Sequence, residues 1–131
     1  MAKQRNEIEE KYTWDLSTIF PTDEAFEAEL AQVSEEVKKA ASLAGYLLDS
    51  ADSLLTTTEI QLDLMRRIEK LYSYAHMKND QDTRVAKYQE YQAKGMTLYS
   101  DFGQSFAFYE PEFMAITEEQ YQAFLAEQPA L

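Results

Sequence analysis

Apolar residues recur every three or four positions through most of the chain, which is the spacing of amphipathic helices. The first stripe follows Thr22, a good N-cap with two acidic residues after it, and Gly45 is a plausible stop. A second helical region begins near Ser50 or Asp52, and its C-terminal half has the clearest stripe of all. The two stripes consist of Phe26, Leu30, Val33, Val37, Ala40 and Ala41, and of Ile60, Leu64, Ile68, Leu71, Tyr72 and Ala75.

A third long helix is predicted after the polar run at residues 79–83, with apolar and aromatic residues at helical spacing from Val85 to Phe106. Gly95 and Gly103 lie on one face of it, where they either let another helix approach closely or are simply tolerated. The run of threonines at residues 56–58 is ambiguous, because it either interrupts the second helix or forms a polar face of one longer helix.

The C-terminal part predicts two further helices. Pro111 suits the first turn of a short helix that ends at about Ile116, and Thr117 with Gln120 forms a capping box for a last helix. All connections are short, which favours antiparallel neighbours. The sequence therefore predicts an all-α, up-and-down antiparallel helical bundle over residues 22–131, as a single domain.

The first 21 residues are predicted to form an extended arm packed on this bundle. They show no helical period, and Pro21 ends the run just before the first helix. Five residues are too apolar for a free tail: Tyr12, Trp14, Leu16, Ile19 and Phe20. We therefore expect the arm to bury the only tryptophan of the chain, with an acceptor for its indole N–H.

The composition supports the all-α class and excludes some classes of binding partner. Only 3 Gly and 3 Pro occur, and 24 acidic against 12 basic side chains give a net charge of -12. Such a charge repels phosphate backbones and anionic lipids, so no nucleic-acid or membrane partner is expected. Basic residues concentrate between Arg66 and Lys94, which predicts that the acidic C-terminal tail packs beside them. The absence of cysteine and the charged, non-apolar start favour a cytoplasmic protein.

The side chains that zinc or thiol catalysis requires are scarce. A zinc site usually takes three or four His, Cys or carboxylate ligands, whereas this chain has one histidine, His76, and no cysteine. No H-E-x-x-H pair, phosphate-binding loop or nucleophile elbow is present. His76 precedes Asp80 by four residues, a spacing more typical of a surface ion pair or a cap than of acid–base catalysis. We expect no catalytic residue and no metal ligand in this chain.

Tyrosines offer the main candidate surface. One hypothesis is an aromatic wall that contacts a peptide, and the alternative is half-buried packing with the phenols reaching water. Tyr91 belongs to the same wall of five tyrosines. The candidates for contacts with a substrate cleft or with another domain are Tyr72, Tyr74, His76, Tyr88 and Tyr99.

Three stretches resemble one family, the oligoendopeptidase F proteins, which are relatives of thimet oligopeptidase. They are YTWDLSTIFPTDEAF at residues 12–26, LYSYAH at 71–76 followed by Asp82 and Tyr88, and FAFYEPE at 106–112. The resemblance implies a cytoplasmic, zinc-dependent endopeptidase that cuts short peptides in a deep cleft between helical lobes. In such an enzyme the N-terminal lobe helps to limit access to the cleft.

The catalytic motifs of that family have no counterpart in this sequence. Its H-E-x-x-H helix and glutamate ligand belong to a later domain, so the resemblance implies a non-catalytic N-terminal domain that is inactive alone. The implied partners are the missing C-terminal catalytic domain, which would hold the zinc, and an oligopeptide substrate. The alternative is a free-standing helical adaptor whose exposed apolar stripe docks another protein.

Overall fold

A computed structural model describes all 131 residues, and it contains helices and no strands. The α-helices are α1 Asp23–Ala40, α2 Ala51–Gln81, α3 Ala86–Ser105, α4 Tyr109–Met114 and α5 Glu118–Glu127. Short 3-10 turns occupy Arg5–Glu7, Glu10–Tyr12, Leu16–Thr18 and Ala41–Leu43. The predicted all-α class is confirmed. None of these helices combines the length and the apolar character needed to cross a lipid bilayer.

Side-chain caps set the starts of three helices, at the positions that the sequence indicates. In each case a hydroxyl oxygen accepts the backbone amide three residues later: Thr22 from Ala25 at 3.1 Å, Ser50 from Ser53 at 3.0 Å, and Thr117 from Gln120 at 3.2 Å. The capping box at Thr117 is only half formed, because the Gln120 side chain donates to the carbonyl of Leu48 instead. Gly45 has a positive φ of 88°, which lets the chain turn between α1 and α2.

Helices α1, α2 and α3 run up, down and up around one core. Tyr74 near the end of α2 bonds to Asp23 at the start of α1, so these two helices are antiparallel. Tyr72 lies beside Gly95 and His76 beside Gln92, so α2 and α3 are antiparallel as well. The core comprises Leu16, Phe20, Phe26, Val33, Val37, Ala40, Leu64, Ile68, Leu71, Tyr74, Ala75, Tyr91, Leu98, Phe102 and Phe106. The predicted helical bundle is confirmed.

A second, smaller core joins the C-terminal helices to the start of α2. It contains Leu47, Ala51, Leu54 and Phe124. The acidic tail therefore packs beside the start of α2, and the expectation that it lies along the basic middle of the chain is wrong. Most of the basic side chains there pair with α1 or with acidic residues close to them in sequence, so they have counter-charges without the tail.

Helix α2 passes through the threonine run without a break. Thr57 is buried, and the Thr58 hydroxyl lies 2.7 Å from the carbonyl of Leu54 and 2.6 Å from the hydroxyl of Tyr109. The Thr58 hydroxyl, which could compete with the backbone, thus bonds to the carbonyl four residues earlier in a way that is compatible with the helix. The helix also continues beyond the predicted break at residue 79, and the interruption is confined to residues 82–85.

The arm is only partly buried, and the expectation for its tryptophan is wrong. Leu16 and Phe20 are buried, and the Phe20 ring packs edge-on against Phe26 and Tyr74. Trp14, however, is 72% exposed. Leu16 and Phe20 belong to the core of the bundle, whereas Trp14 lies outside it. The division of the chain at residues 21 and 22 stays a prediction.

Candidate functional site

The candidate tyrosines do not form one wall, because they divide between two regions of the bundle. Tyr74 and Tyr88 point their hydroxyls at α1, and so does Tyr91. Tyr72 and Tyr99 instead contact each other across α2 and α3. The two regions have different chemistry, one charged and one mainly aromatic.

A carboxylate at the start of α1 organises the first region. The Tyr74 hydroxyl donates to one oxygen of Asp23 at 2.7 Å, and the Tyr88 hydroxyl donates to the other at 3.0 Å. The Lys87 ammonium lies 3.1 Å from the second oxygen, and Lys78 lies 3.9 Å from the first. We call Asp23, Tyr74, Tyr88 and Lys87 the Asp23 network. It ties the beginning of α1 to the end of α2 and the beginning of α3.

These contacts fix the protonation states of the network. Burial opposes ionisation of Asp23, but hydrogen bonds from Tyr74, Lys87 and Tyr88 outweigh it and hold its pKa below the ordinary value. Burial, then the bond to Asp23, raises the pKa of Tyr74 and of Tyr88. Burial and the bond to Glu27 raise the pKa of Tyr91 to about 12. The carboxylate is therefore charged and the phenols are protonated at neutral pH, which suits a structural tie and not proton transfer.

A second charged contact joins α2 to α1 nearer the middle of the bundle. Arg67 donates from Nε to Glu29 and from Nη1 to Glu36, each at 2.6 Å, and its side chain is only 15% exposed. Hydrogen bonds to these two carboxylates raise its pKa above the ordinary value. These residues are not among those predicted from the sequence. Glu29 and Glu36 are seven positions apart and so share a face of α1, a spacing that could have indicated a common basic partner.

The second region consists of Tyr72, His76 and Tyr99, which we call the α2/α3 cluster. Tyr72 stacks on His76 with ring centroids 5.9 Å apart, and it meets Tyr99 edge-on at 5.4 Å. The two ring nitrogens of His76 lie 3.3 Å from the Asp80 carboxylate and 2.8 Å from the Gln92 amide. His76 thus lies in an exposed contact with a carboxylate, and no group of three or more His, Cys, Asp and Glu side chains is placed to hold a metal ion.

A groove with a volume of about 520 Å³ lies between α1 and α3. Its lining residues are Glu27, Leu30, Ala31, Ser34, Tyr91, Lys94, Thr97, Leu98 and Asp101. None of the five candidate residues lines it, and Tyr91 is its only aromatic residue. The volume falls within the range of ligand pockets, and the mixture of apolar and charged groups can accept a side chain and polar backbone of a peptide.

Comparisons with known proteins find relatives along the whole chain. Group B oligopeptidase PepB of Streptococcus agalactiae serotype III (strain NEM316) is 54% identical over 131 residues, which are 100% of this chain and 22% of that protein. A plasmid oligoendopeptidase F of Lactococcus lactis subsp. cremoris is 57% identical over 128 residues, 97% of this chain and 21% of the relative. Oligopeptidase PepF of Bacillus subtilis (strain 168) is 38% identical over 127 residues, which are 97% of this chain and 19% of that protein. The chain spans about a fifth of the length of these curated relatives.

Solved structures agree with these relatives. The crystal structure of oligoendopeptidase-F from Enterococcus faecium matches with a TM-score of 0.74 and 33% identity, over 84% of this chain and 22% of that chain. A second crystal structure, from Chlamydophila abortus, matches with a TM-score of 0.83 over 95% of this chain and 21% of that chain. At 24% identity it shows the fold alone. No protein-family model matches the chain.

Proposed function

This chain corresponds to the N-terminal part of oligoendopeptidase F-type peptidases, and we propose that it forms the non-catalytic helical domain of a longer enzyme that hydrolyses oligopeptides. One observation carries the proposal: 54% identity runs through the whole chain yet covers only 22% of the related oligopeptidase. The free-standing adaptor is not favoured, because the relatives along this whole length are peptidases.

The residues of this chain do not fit a zinc site. His76 is the only histidine, and its ring nitrogens already face Asp80 and Gln92. Asp80 is the only carboxylate paired with it. We therefore assign the metal that such a peptidase uses, proposed to be zinc, to the part of the polypeptide outside this chain. The cytoplasmic location is part of the same proposal, and the lack of cysteine is compatible with it.

The role that we assign to the domain is to shape the substrate cleft and limit access to it. The Asp23 network ties α1 to α2 and α3, and Arg67 ties α1 to α2 at a second level, so the three helices are held as one body. A body fixed in this way excludes bulky polypeptides by volume alone. Direct contact with a peptide, if the domain makes one, is best supported in the groove between α1 and α3.

Cleavage of a quenched peptide tests the proposal. The product of the reading frame continued past Leu131 should cleave it and lose the activity to a chelator, whereas the 131-residue chain should not cleave it. A continued frame without an H-E-x-x-H sequence contradicts the proposal. Turnover by the isolated chain, unaffected by chelator, contradicts it as well.

A pair of bulky substitutions on α3 tests the groove. Thr97 and Ala93 are both exposed, but only Thr97 lines the groove. In the longer enzyme, Thr97→Trp should raise KM for a peptide, and Ala93→Trp should leave it unchanged. Equal kinetic effects of the two variants would argue against peptide contact in this groove.

A further inference from the structure

Some apolar side chains of the arm are exposed to solvent, and others close to them in sequence are buried. Trp14 and Tyr12 are each 72% exposed and Ile8 is 39% exposed, whereas Leu16 and Phe20 are each less than a tenth exposed. Isolated exposed apolar residues need no explanation, but a contiguous group that contains a tryptophan and a tyrosine is typical of a contact surface. This chain supplies nothing that covers them.

These side chains surround a small cavity between the arm and the end of α2. The cavity has a volume of about 220 Å³, and its apolar lining is Ile8, Tyr12, Trp14 and Met77. We call these four residues the arm notch. Arg5 and Asp80 also line the cavity and give it a charged rim. An apolar side chain can enter such a space with polar groups around it, which is the arrangement of an interface anchor.

The arm holds the notch in place instead of presenting it on a loose tail. Asp15 accepts the Ser17 amide at 3.0 Å, and the Thr18 hydroxyl donates to the Asp15 carbonyl at 2.9 Å. This turn follows Trp14 directly and leads into buried Leu16. At the other end of the arm, Arg84 donates to the Gln4 side chain at 3.2 Å. An ordered surface loses little conformational entropy when a partner binds.

We propose that the arm notch is an interdomain contact, which receives an apolar side chain from the rest of the same polypeptide. This rests on the proposed function, in which four fifths of the enzyme lies outside this chain. Four side chains offer much less than the roughly 800 Å² per partner of a stable dimer, so a second copy or a free peptide would bind weakly. A covalently joined domain instead meets the notch at a millimolar effective concentration.

Radical footprinting of Trp14 tests the contact. The 131-residue chain and the longer enzyme are oxidised by hydroxyl radicals at matched dose, and oxidation of Trp14 is measured by mass spectrometry. Because the oxidation rate follows the exposed fraction, a decrease from 72% exposed to less than a tenth should slow the oxidation of Trp14 by at least about sevenfold. Equal rates in the two proteins overturn the proposal. Protection in the 131-residue chain that grows with its concentration also overturns it, because a second copy is then the occupant.

The unfolding midpoints of two variants, each made in the 131-residue chain and in the longer enzyme, test the contact independently. Trp14→Ala should lower the unfolding midpoint of the longer enzyme and leave that of the 131-residue chain nearly unchanged, since Trp14 is exposed in this chain. Tyr46→Ala is the matched control, an aromatic residue that is 61% exposed and lies outside the arm. An equal shift in both proteins overturns the proposal. An active peptidase with unprotected Trp14 refutes this contact alone, whereas an inactive longer protein without the metal motif refutes the proposed function.

Discussion

The Tyr74 hydroxyl donates a hydrogen bond of 2.7 Å to Asp23, although 51 residues separate the two along the chain. The bond places a buried tyrosine of α2 on the first residue of α1. Since the other oxygen of Asp23 accepts from Tyr88 of α3, one carboxylate joins all three long helices. Its charge also lies where the α1 dipole favours an anion.

Replacing this carboxylate should destabilise the bundle more than any other change of charge in the first turn of α1. Asp23→Asn removes the charge that pairs with Lys87 and leaves one accepting oxygen in place of the two that Tyr74 and Tyr88 use, so we expect a loss of about 1 to 3 kcal/mol in the free energy of unfolding. Urea unfolding measures it. Glu24→Gln is the control, because it removes a charge from the same turn at an exposed position. Equal losses for the two variants would show that the helix dipole, not the network, is responsible.

The contribution of Asp23 should depend on pH in a defined direction. Its pKa is lower in the folded chain than the ordinary value of 3.8, so ionised Asp23 stabilises the fold above that value. As pH falls below 3.8 and through the folded pKa, this stabilisation is lost. We expect the difference in unfolding free energy between the native chain and Asp23→Asn to be constant near neutral pH and to shrink in acid. A difference that grows on acidification would contradict the assigned charge.

Two adjacent arginines should differ sharply in their effect on stability. Arg67→Met removes the partner of Glu29 and Glu36 from a contact whose arginine is mostly buried, and we expect a loss of about 1 to 2 kcal/mol. The estimate is below that for fully buried pairs because Glu36 is 37% exposed. Arg66→Met is the matched control. Arg66 pairs with Asp63 in solvent, so its replacement should hardly change the free energy of unfolding. Chemical unfolding of both variants at low and high salt checks this expectation.

The helices were predictable from the sequence because their signals are local. Thr22, Ser50 and Thr117 each follow a turn and precede an apolar stripe, and each caps its helix through contacts within three residues. The threonine run could not be assigned in the same way. Its outcome depends on burial of Thr57 and on the contact between Thr58 and Tyr109, which is 51 residues away.

The candidate site was less predictable because it depends on which helix faces which. Helical spacing places Tyr72 and Tyr74 on one helix but does not say that Tyr74 meets α1 and Tyr72 meets α3. Glu112 illustrates the same limit, since it accepts the amides of Gly45 and Leu47 from more than 60 residues away and no sequence pattern links them. Residue type also predicted burial of Trp14, but burial requires a partner surface, which this chain provides for Leu16 and Phe20 and not for Trp14.

The two glycines of α3 should differ in their response to substitution, because only one of them lies against another helix. A Cβ at Gly95 would lie 3.4 Å from Cδ2 and 3.7 Å from Cα of Tyr72, whereas a Cβ at Gly103 would have no neighbour within 4 Å. Alanine is favoured over glycine in helices, so Gly103→Ala should raise the free energy of unfolding by about 0.5 to 1 kcal/mol.

At Gly95 the added Cβ would just reach van der Waals contact with Tyr72, so no free space remains beyond a methyl group. We expect Gly95→Ala to be tolerated and Gly95→Val, whose branched side chain must displace Tyr72 or separate α2 from α3, to be clearly destabilising. Urea unfolding of the three variants, at an unchanged dependence on denaturant, measures these differences. If Gly95→Val were tolerated as well as Gly95→Ala, α2 and α3 would have to lie farther apart beside Tyr72 than described.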